Sequence, residues 1–224
     1  MATTTPYPTL RTERRLWAEG DQVVCGIDEV GRGSWAGPVS VGAVIAPAEH
    51  LKGVRDSKLL SRAERERCAT DIRAWARAYA VGHASHTECD DLGMTEALRR
   101  AAWRALDQLA AQGFEPDRIV LDGSFDYLGD ATRVTTIVKA DMRVLSVSAA
   151  SVVAKVTRDA IMAAEAEHFP AYDFASNCGY PAPVHKAALA AYGPSTIHRR
   201  SWVFMESLPW CGLHRTTPPR LFAI

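Results

Sequence analysis

"GIDEVGRGSWAGPV", Gly26 to Val39, sets two adjacent acids, Asp28 and Glu29, against a glycine-arginine-glycine turn. The apolar run "QVVC" just before it reads as a buried strand, and "PVSVGAVIA" beyond the turn reads as its hairpin partner. Two neighbouring carboxylates at the end of a buried strand repel each other and lose hydration, so a fold keeps them there only against a counter-charge. The stretch therefore announces both a sheet and a demand for cations.

The rest of the chain extends that sheet. Ser61 and Glu64 have capping-box spacing and open an amphipathic helix predicted to run to about Ala80. "YAVGHAS" reads as a third strand, and "MTEALRRAAWRALDQLAAQG" as a second helix stopped by Gly113. "DRIVLDG" and "RVTTIVKAD" are two more strands, each followed by an acid, Asp122 and Asp141. From Val144 to about His168 the Ala- and Val-rich chain predicts a long helix, with a short one near Val184 to Ala191. Hairpin strands followed by strands alternating with helices indicate an α/β mixed sheet with a C-terminal helical extension. The expected domains are a flexible tail over 1–20, a catalytic domain over 21–170 and a helical, irregular extension over 171–224.

Composition narrows the class. The 224 residues carry 26 basic and 26 acidic side chains, so no overall field marks a nucleic-acid or membrane partner. A local basic groove is nevertheless enough to hold phosphates. Five widely spaced cysteines, never as CxxC, fit reduced thiols in a cytoplasmic protein rather than a disulfide frame or a zinc site. "MATTTPYPTL" has no signal-peptide pattern, and no apolar run reaches membrane-spanning length.

A lone acid after a strand is ordinarily a turn former. Asp28, Glu29, Asp122 and Asp141, at the ends of neighbouring strands, project to one rim and invite hard divalent cations. Such a cluster suits two-metal phosphoryl hydrolysis. Asp126 and Asp130 read as solvated loop acids, His83 and His86 as surface histidines, and Lys58 in "RDSK" either reaches a phosphate or sits in solvent. Gly31 and Gly33 allow close approach of backbone N–H groups to a ligand, and Arg32 adds a charge-assisted contact. Ser148, Ser151, Lys155 and Arg158 lie at helical spacing and predict a polar stripe suited to phosphates, with Asp159 steadying Arg158. Tyr180, in a Gly-Tyr-Pro turn, packs on its own domain or stacks on a sugar or base. Arg199 and Arg200 read as a surface basic pair.

The blocks "GIDEVGRGSWAGPV", "DSKLLS", "VLDGSF", "VKADMRVLSVSAASVVAKVTRD", "GYPAPVH" and "HRRSW" occur in the order seen in bacterial ribonuclease HII, and the chain resembles that family from about Val23 to Trp202. The resemblance implies a ribonuclease-H-like fold and an endonuclease acting on RNA/DNA hybrids and on single ribonucleotides in duplex DNA. It makes Asp28, Glu29, Asp122 and Asp141 the ligands of two Mg²⁺ or Mn²⁺ ions. It makes Gly31, Arg32 and Gly33 the sensor of the ribose 2′-hydroxyl, Tyr180 a sugar contact, and Lys58, Ser151 and Lys155 phosphate contacts.

Four positions depart from the family's usual residues: Ser34-Trp35 for Pro-Leu, Met142 for Ser and Ala182 for Thr. Asp141 and the short N-terminal tail favour this family over ribonuclease HIII, which usually has Glu at the fourth acid. A monomer is expected. The tail "LPWCGLHRTTPPRLFAI", with Leu221 and Phe222, either straps the domain or docks on a sliding clamp. Two other readings stay open: a resolvase-like nuclease on the same fold, and a non-catalytic hybrid-binding module.

Overall fold

The computed structural model describes residues 7–208. It contains a five-stranded sheet in the order β3-β2-β1-β4-β5. The strands are β1 Val24–Val30, β2 Val39–Ile45, β3 Ala78–Ala84, β4 Arg118–Asp122 and β5 Val134–Ile137. β1 pairs antiparallel with β2, as the hairpin reading requires, with Asp28 opposite Gly42. It pairs parallel with β4, and β4 parallel with β5. Parallel neighbours finish at one rim, so the acids that close β1 and β4 and follow β5 come from the same edge of the sheet.

Seven α-helices accompany these strands among the described residues: α1 Arg11–Glu19, α2 Arg62–Trp75, α3 His86–Leu92, α4 Met94–Ala111, α5 Leu145–His168, α6 Phe174–Asn177 and α7 Pro183–Tyr192. The Ser61–Glu64 capping box opens α2 as expected, but the helix ends at Trp75 because β3 begins at Ala78.

The first twenty residues are not a loose tail throughout. Arg11–Glu19 form a helix whose Leu16 is buried, with the preceding Leu10 buried beside it. The stripe Leu10, Leu16 and Trp17 joins the core, and burial of the two leucines counters part of the entropy lost in ordering the helix.

Contacts gather the described chain into two units. The first holds the chain up to Val30, Ser40–His83 and Leu98–Val156; the second holds Gly31–Val39, Ala84–Ala97 and the chain from Thr157 onward. This division falls inside α5, between Val156 and Thr157. The cause is the change of face along that helix. Its opening turns present small residues to the sheet: a side chain at Gly42 would overlap the carbonyl of Ala150. The core of this unit includes Val44, Val54, Ile72, Leu145, Val152 and Val153. Beyond Thr157 the helix instead contributes Met162 to an aromatic core with Phe169, Tyr172 and Phe174. Tyr172 and Phe174 stack there with ring centres 5.3 Å apart.

Candidate functional site

The acids occupy the rim of the first unit. Asp28 is 5% exposed on β1, and its Oδ1 accepts a hydrogen bond from the Glu29 N–H at 2.9 Å. Glu29, the next residue of the pleat, is half-buried. Burial, then the charges of Glu29, Asp122 and Asp141, push the Asp28 carboxyl well above the ordinary range, while a hydrogen bond from Ser151 opposes them. Asp122 closes β4, and its Oδ1 accepts the Ala140 N–H at 2.6 Å. That bond ties the end of β4 to the 3-10 turn Ala140–Met142, which carries Asp141. Asp141 is also 5% exposed and is raised by burial first, then by Asp122 and Asp56.

Lys58 brings a cation to these acids. Its Nζ lies 3.5 Å from Asp141 Oδ2 and 4.0 Å from Asp56 Oδ1. Burial works against its charge, but Asp56, Asp28 and Asp141 outweigh it and hold the ammonium above its usual value. Asp56 is the N-cap of the 3-10 turn Ser57–Leu59 and accepts the Lys58 N–H at 3.0 Å.

The donor set suits a hard divalent cation in chemistry: carboxylate oxygens, two of them on nearly buried side chains whose charged forms are mutually disfavoured. As the side chains stand, no three His, Cys, Asp or Glu groups among the described residues are collected as a ready ligand set. Asp28 and Asp122 each bond a backbone N–H, and Asp141 bonds Lys58.

The α5 stripe is corrected by burial. Ser148 and Arg158 are wholly buried and Ser151 is 3% exposed, so they are no open phosphate track. The Ser151 hydroxyl meets Ser57 Oγ at 2.9 Å and supports Asp28. Lys155 is half-buried on the same helix.

The glycine-arginine-glycine turn lies in the second unit, with Arg158 beneath it. Arg158 donates to Pro38 O and Cys178 O, each at 2.8 Å, to Ala36 O at 3.1 Å and to Ser34 Oγ at 2.7 Å. Ser34 Oγ in turn lies 2.9 Å from the Gly31 carbonyl, to which it donates. The unusual Ser34 thus carries the buried guanidinium's hold on to the turn. Trp35 is half-buried, its ring 4.5 Å from that of Phe204 and 5.5 Å from that of His185.

Arg199 is also buried, not a surface cation. It donates to Gly37 O and Arg32 O, both at 3.1 Å, whereas Arg200 is exposed. Gly31 has φ +87° and gives its N–H to Tyr180 Oη at 3.1 Å. Arg32 and Gly33 are exposed, and Tyr180 is half-buried. The signal for buried arginines was a loop rich in carbonyls and poor in regular structure, whose acceptors need donors from elsewhere.

Elsewhere, Asp126 caps the Leu128 and Gly129 N–H groups, and Asp130 pairs with Arg133 at 2.7 Å. His83 sits on β3 with Nδ1 2.7 Å from Ser40 Oγ. The segment with Leu221 and Phe222 lies outside the described residues. No helix among the described residues is long and apolar enough to cross a membrane.

A family model described as Ribonuclease HII matches residues 25–205. A ribonuclease HII of Streptomyces avermitilis is 50% identical over 208 residues, covering 91% of this chain and 88% of that one. The chain belongs to the ribonuclease HII family. Among solved structures, ribonuclease H2 of Pyrococcus horikoshii matches with TM-score 0.68 at 29% identity, over 83% of this chain and 96% of that one. The PCNA:RNase HII complex from Archaeoglobus fulgidus matches with TM-score 0.67 at 29% identity, over 80% and 95%. The fold is that of the ribonuclease H enzymes, and the chain is a ribonuclease H nuclease of a metal-dependent family.

Proposed function

We propose that this chain cuts the phosphodiester on the 5′ side of a ribonucleotide paired with DNA, in hybrids and at single ribonucleotides within duplex DNA, leaving a 3′-hydroxyl and a 5′-phosphate. The carrying observation is the rim of β1, β4 and the turn after β5, where Asp28 and Asp141 are raised by their acidic neighbours. Asp28, Glu29, Asp122 and Asp141 would hold two Mg²⁺ or Mn²⁺ ions, which supply water activation and stabilise the leaving oxygen.

The chain's own residues do the rest. Ser151 steadies Asp28, and the hydrogen bond from Ala140 fixes Asp122. Lys58, with its side chain 77% exposed, can turn from Asp141 to a phosphate oxygen, and Lys155 is a second candidate for that contact. In the second unit, the Gly31-Arg32-Gly33 turn contacts the 2′-hydroxyl through its exposed residues Arg32 and Gly33, while the Gly31 N–H holds the hydroxyl of Tyr180, which packs on a sugar. The 2′-hydroxyl is then a recognition handle and not the nucleophile. The chain passes directly from Val30 at the end of β1 into Gly31 of the turn. The Archaeoglobus protein's complex with PCNA supports a similar contact for this chain.

The test is cleavage of duplexes with no, one and several ribonucleotides, in Mg²⁺ and in Mn²⁺. Products ending in 2′,3′-cyclic phosphate overturn the mechanism. Cutting of all-DNA branched substrates points to a resolvase, and binding without turnover to a hybrid-binding module.

A further inference from the structure

His185 on α7 and His198, which closes the turn from Ser195, are 0% and 1% exposed. Their Nε2 atoms face each other at 2.9 Å. At the outer ends, His185 Nδ1 lies 2.8 Å from the Tyr180 carbonyl oxygen. His198 Nδ1 lies 2.9 Å from the Ser195 amide nitrogen and 2.8 Å from its hydroxyl.

A carbonyl only accepts, so His185 Nδ1 carries the proton. A backbone amide only donates, so His198 Nδ1 is bare. Each neutral imidazole has one donor and one acceptor, which leaves a single arrangement: His198 Nε2–H donates to His185 Nε2. A second proton on His185 would set two N–H groups against each other. On His198 it would oppose the Ser195 N–H. The surroundings act the same way. The rings of Tyr172 and Phe174 pack on both imidazoles and Trp35 on His185, while His198 borders a cavity whose other titratable or charged groups are His86, Asp90, Asp91 and Arg200. Burial lowers His185, and burial followed by His185 and His86 lowers His198 to about 3.

The relay ends on Tyr180. Its carbonyl also accepts the Ala182 N–H at 2.8 Å, so both lone pairs are engaged. Its N–H donates to Asn177 O at 2.9 Å and its hydroxyl accepts from Gly31. The preceding Cys178 and Gly179 have φ of 51° and 80°, a backbone that holds its course only under such restraint.

We propose that His185 and His198 are a tautomer-locked pair of positioning residues that fix Tyr180, setting how tightly the chain holds a ribonucleotide-containing duplex without touching it. The kinetic part rests on the reading of Tyr180 as a sugar contact; the tautomers do not.

The test has two arms. In the full chain labelled with ¹⁵N-histidine, long-range ¹H–¹⁵N spectra, assigned with His185→Gln and His198→Gln, should show Nδ1–H on His185 and Nε2–H on His198, both rings staying neutral at mildly acidic pH. The opposite tautomers, or a cationic ring there, overturn the proposal whatever the enzyme cuts. In kinetics on a single-ribonucleotide duplex, His198→Gln should raise KM about tenfold with kcat within about twofold, and should add nothing to KM in a Tyr180→Ala background. Multiplying effects would show a structural role independent of Tyr180 and overturn it. Absence of cleavage by the unaltered protein would sink the functional reading and leave the tautomer result standing.

Discussion

Arg158 lies so close beneath Gly31 that a side-chain carbon at Gly31 would overlap its guanidinium. The arginine meanwhile serves three loop carbonyls and the Ser34 hydroxyl. Gly31→Ala should cost about 1–2 kcal/mol from the left-handed backbone alone, and more from displacing Arg158. Arg158→Lys keeps the charge but loses the planar fork, and should cost on the order of 3 kcal/mol. Urea unfolding measures both; a cost under about 1 kcal/mol for Arg158→Lys would deny it the bracing role.

Asp28→Asn should separate stability from activity. It removes a buried charge that Glu29, Asp122 and Asp141 oppose. The metal-free variant should be more stable than the parent by on the order of 1 kcal/mol, and it should not cleave. A variant that cuts normally would remove Asp28 from the site.

The pH dependence has a definite sign. Asp28 and Asp141 are raised when folded, as is Glu13, which burial lifts against its bond from Ser146. The native state therefore binds more protons than the unfolded chain over the window above the ordinary carboxylate range. These groups favour folding most below that range, and their contribution falls as pH rises through the raised values. Lys58 acts at the other end: its contribution is complete below the ordinary ammonium range and is lost only as pH climbs through its raised value. Divalent cations should reverse the carboxylate effect. Melting curves with chelator and with Mn²⁺ should show a larger metal increment at about pH 8 than at about pH 5. Equal increments would contradict metal binding by these acids.

Lys58→Met should change stability by less than about 1 kcal/mol, because an ion pair on a side chain 77% exposed contributes little. Any loss of cleavage is then a loss of chemistry or binding, read by comparing melting temperature with kcat/KM.

Ala182 is the N-cap of α7, and no side chain caps that helix. Ala182→Thr should add about 1 kcal/mol of stability. An unchanged melting temperature would show that solvent already satisfies those N–H groups.

How much of this was legible depends on the range over which each residue acts. Strand-end acids follow from local pattern: apolar runs closed by Asp28, Asp122 and Asp141 appear as β1, β4 and the turn after β5. The Ser61–Glu64 cap is equally local. Arg158 looked like part of an exposed stripe because helical spacing says which residues share a face, not what covers it. Its acceptors at Ser34, Ala36 and Pro38 lie 120 or more positions away. Arg199 was hidden for the same reason, its acceptors at Gly37 and Arg32 lying more than 160 positions away, whereas the two histidines meet near neighbours and only their burial was hidden. α1 was missed because its sparse apolar stripe sits among Arg, Thr and Pro.

That helix bears on how the chain is made. Glu13 is wholly buried and its carboxylate accepts the Ser146 N–H at the start of α5, 133 residues further on. That contact can form only once Ser146 has been synthesised. Until α5 is made, the cluster of Leu10 lacks Leu145, Val152 and Val153 and that of Leu16 lacks Val147, and such distant closure slows folding. Fragments that stop before Ser146 should therefore remain chaperone clients rather than become small stable domains.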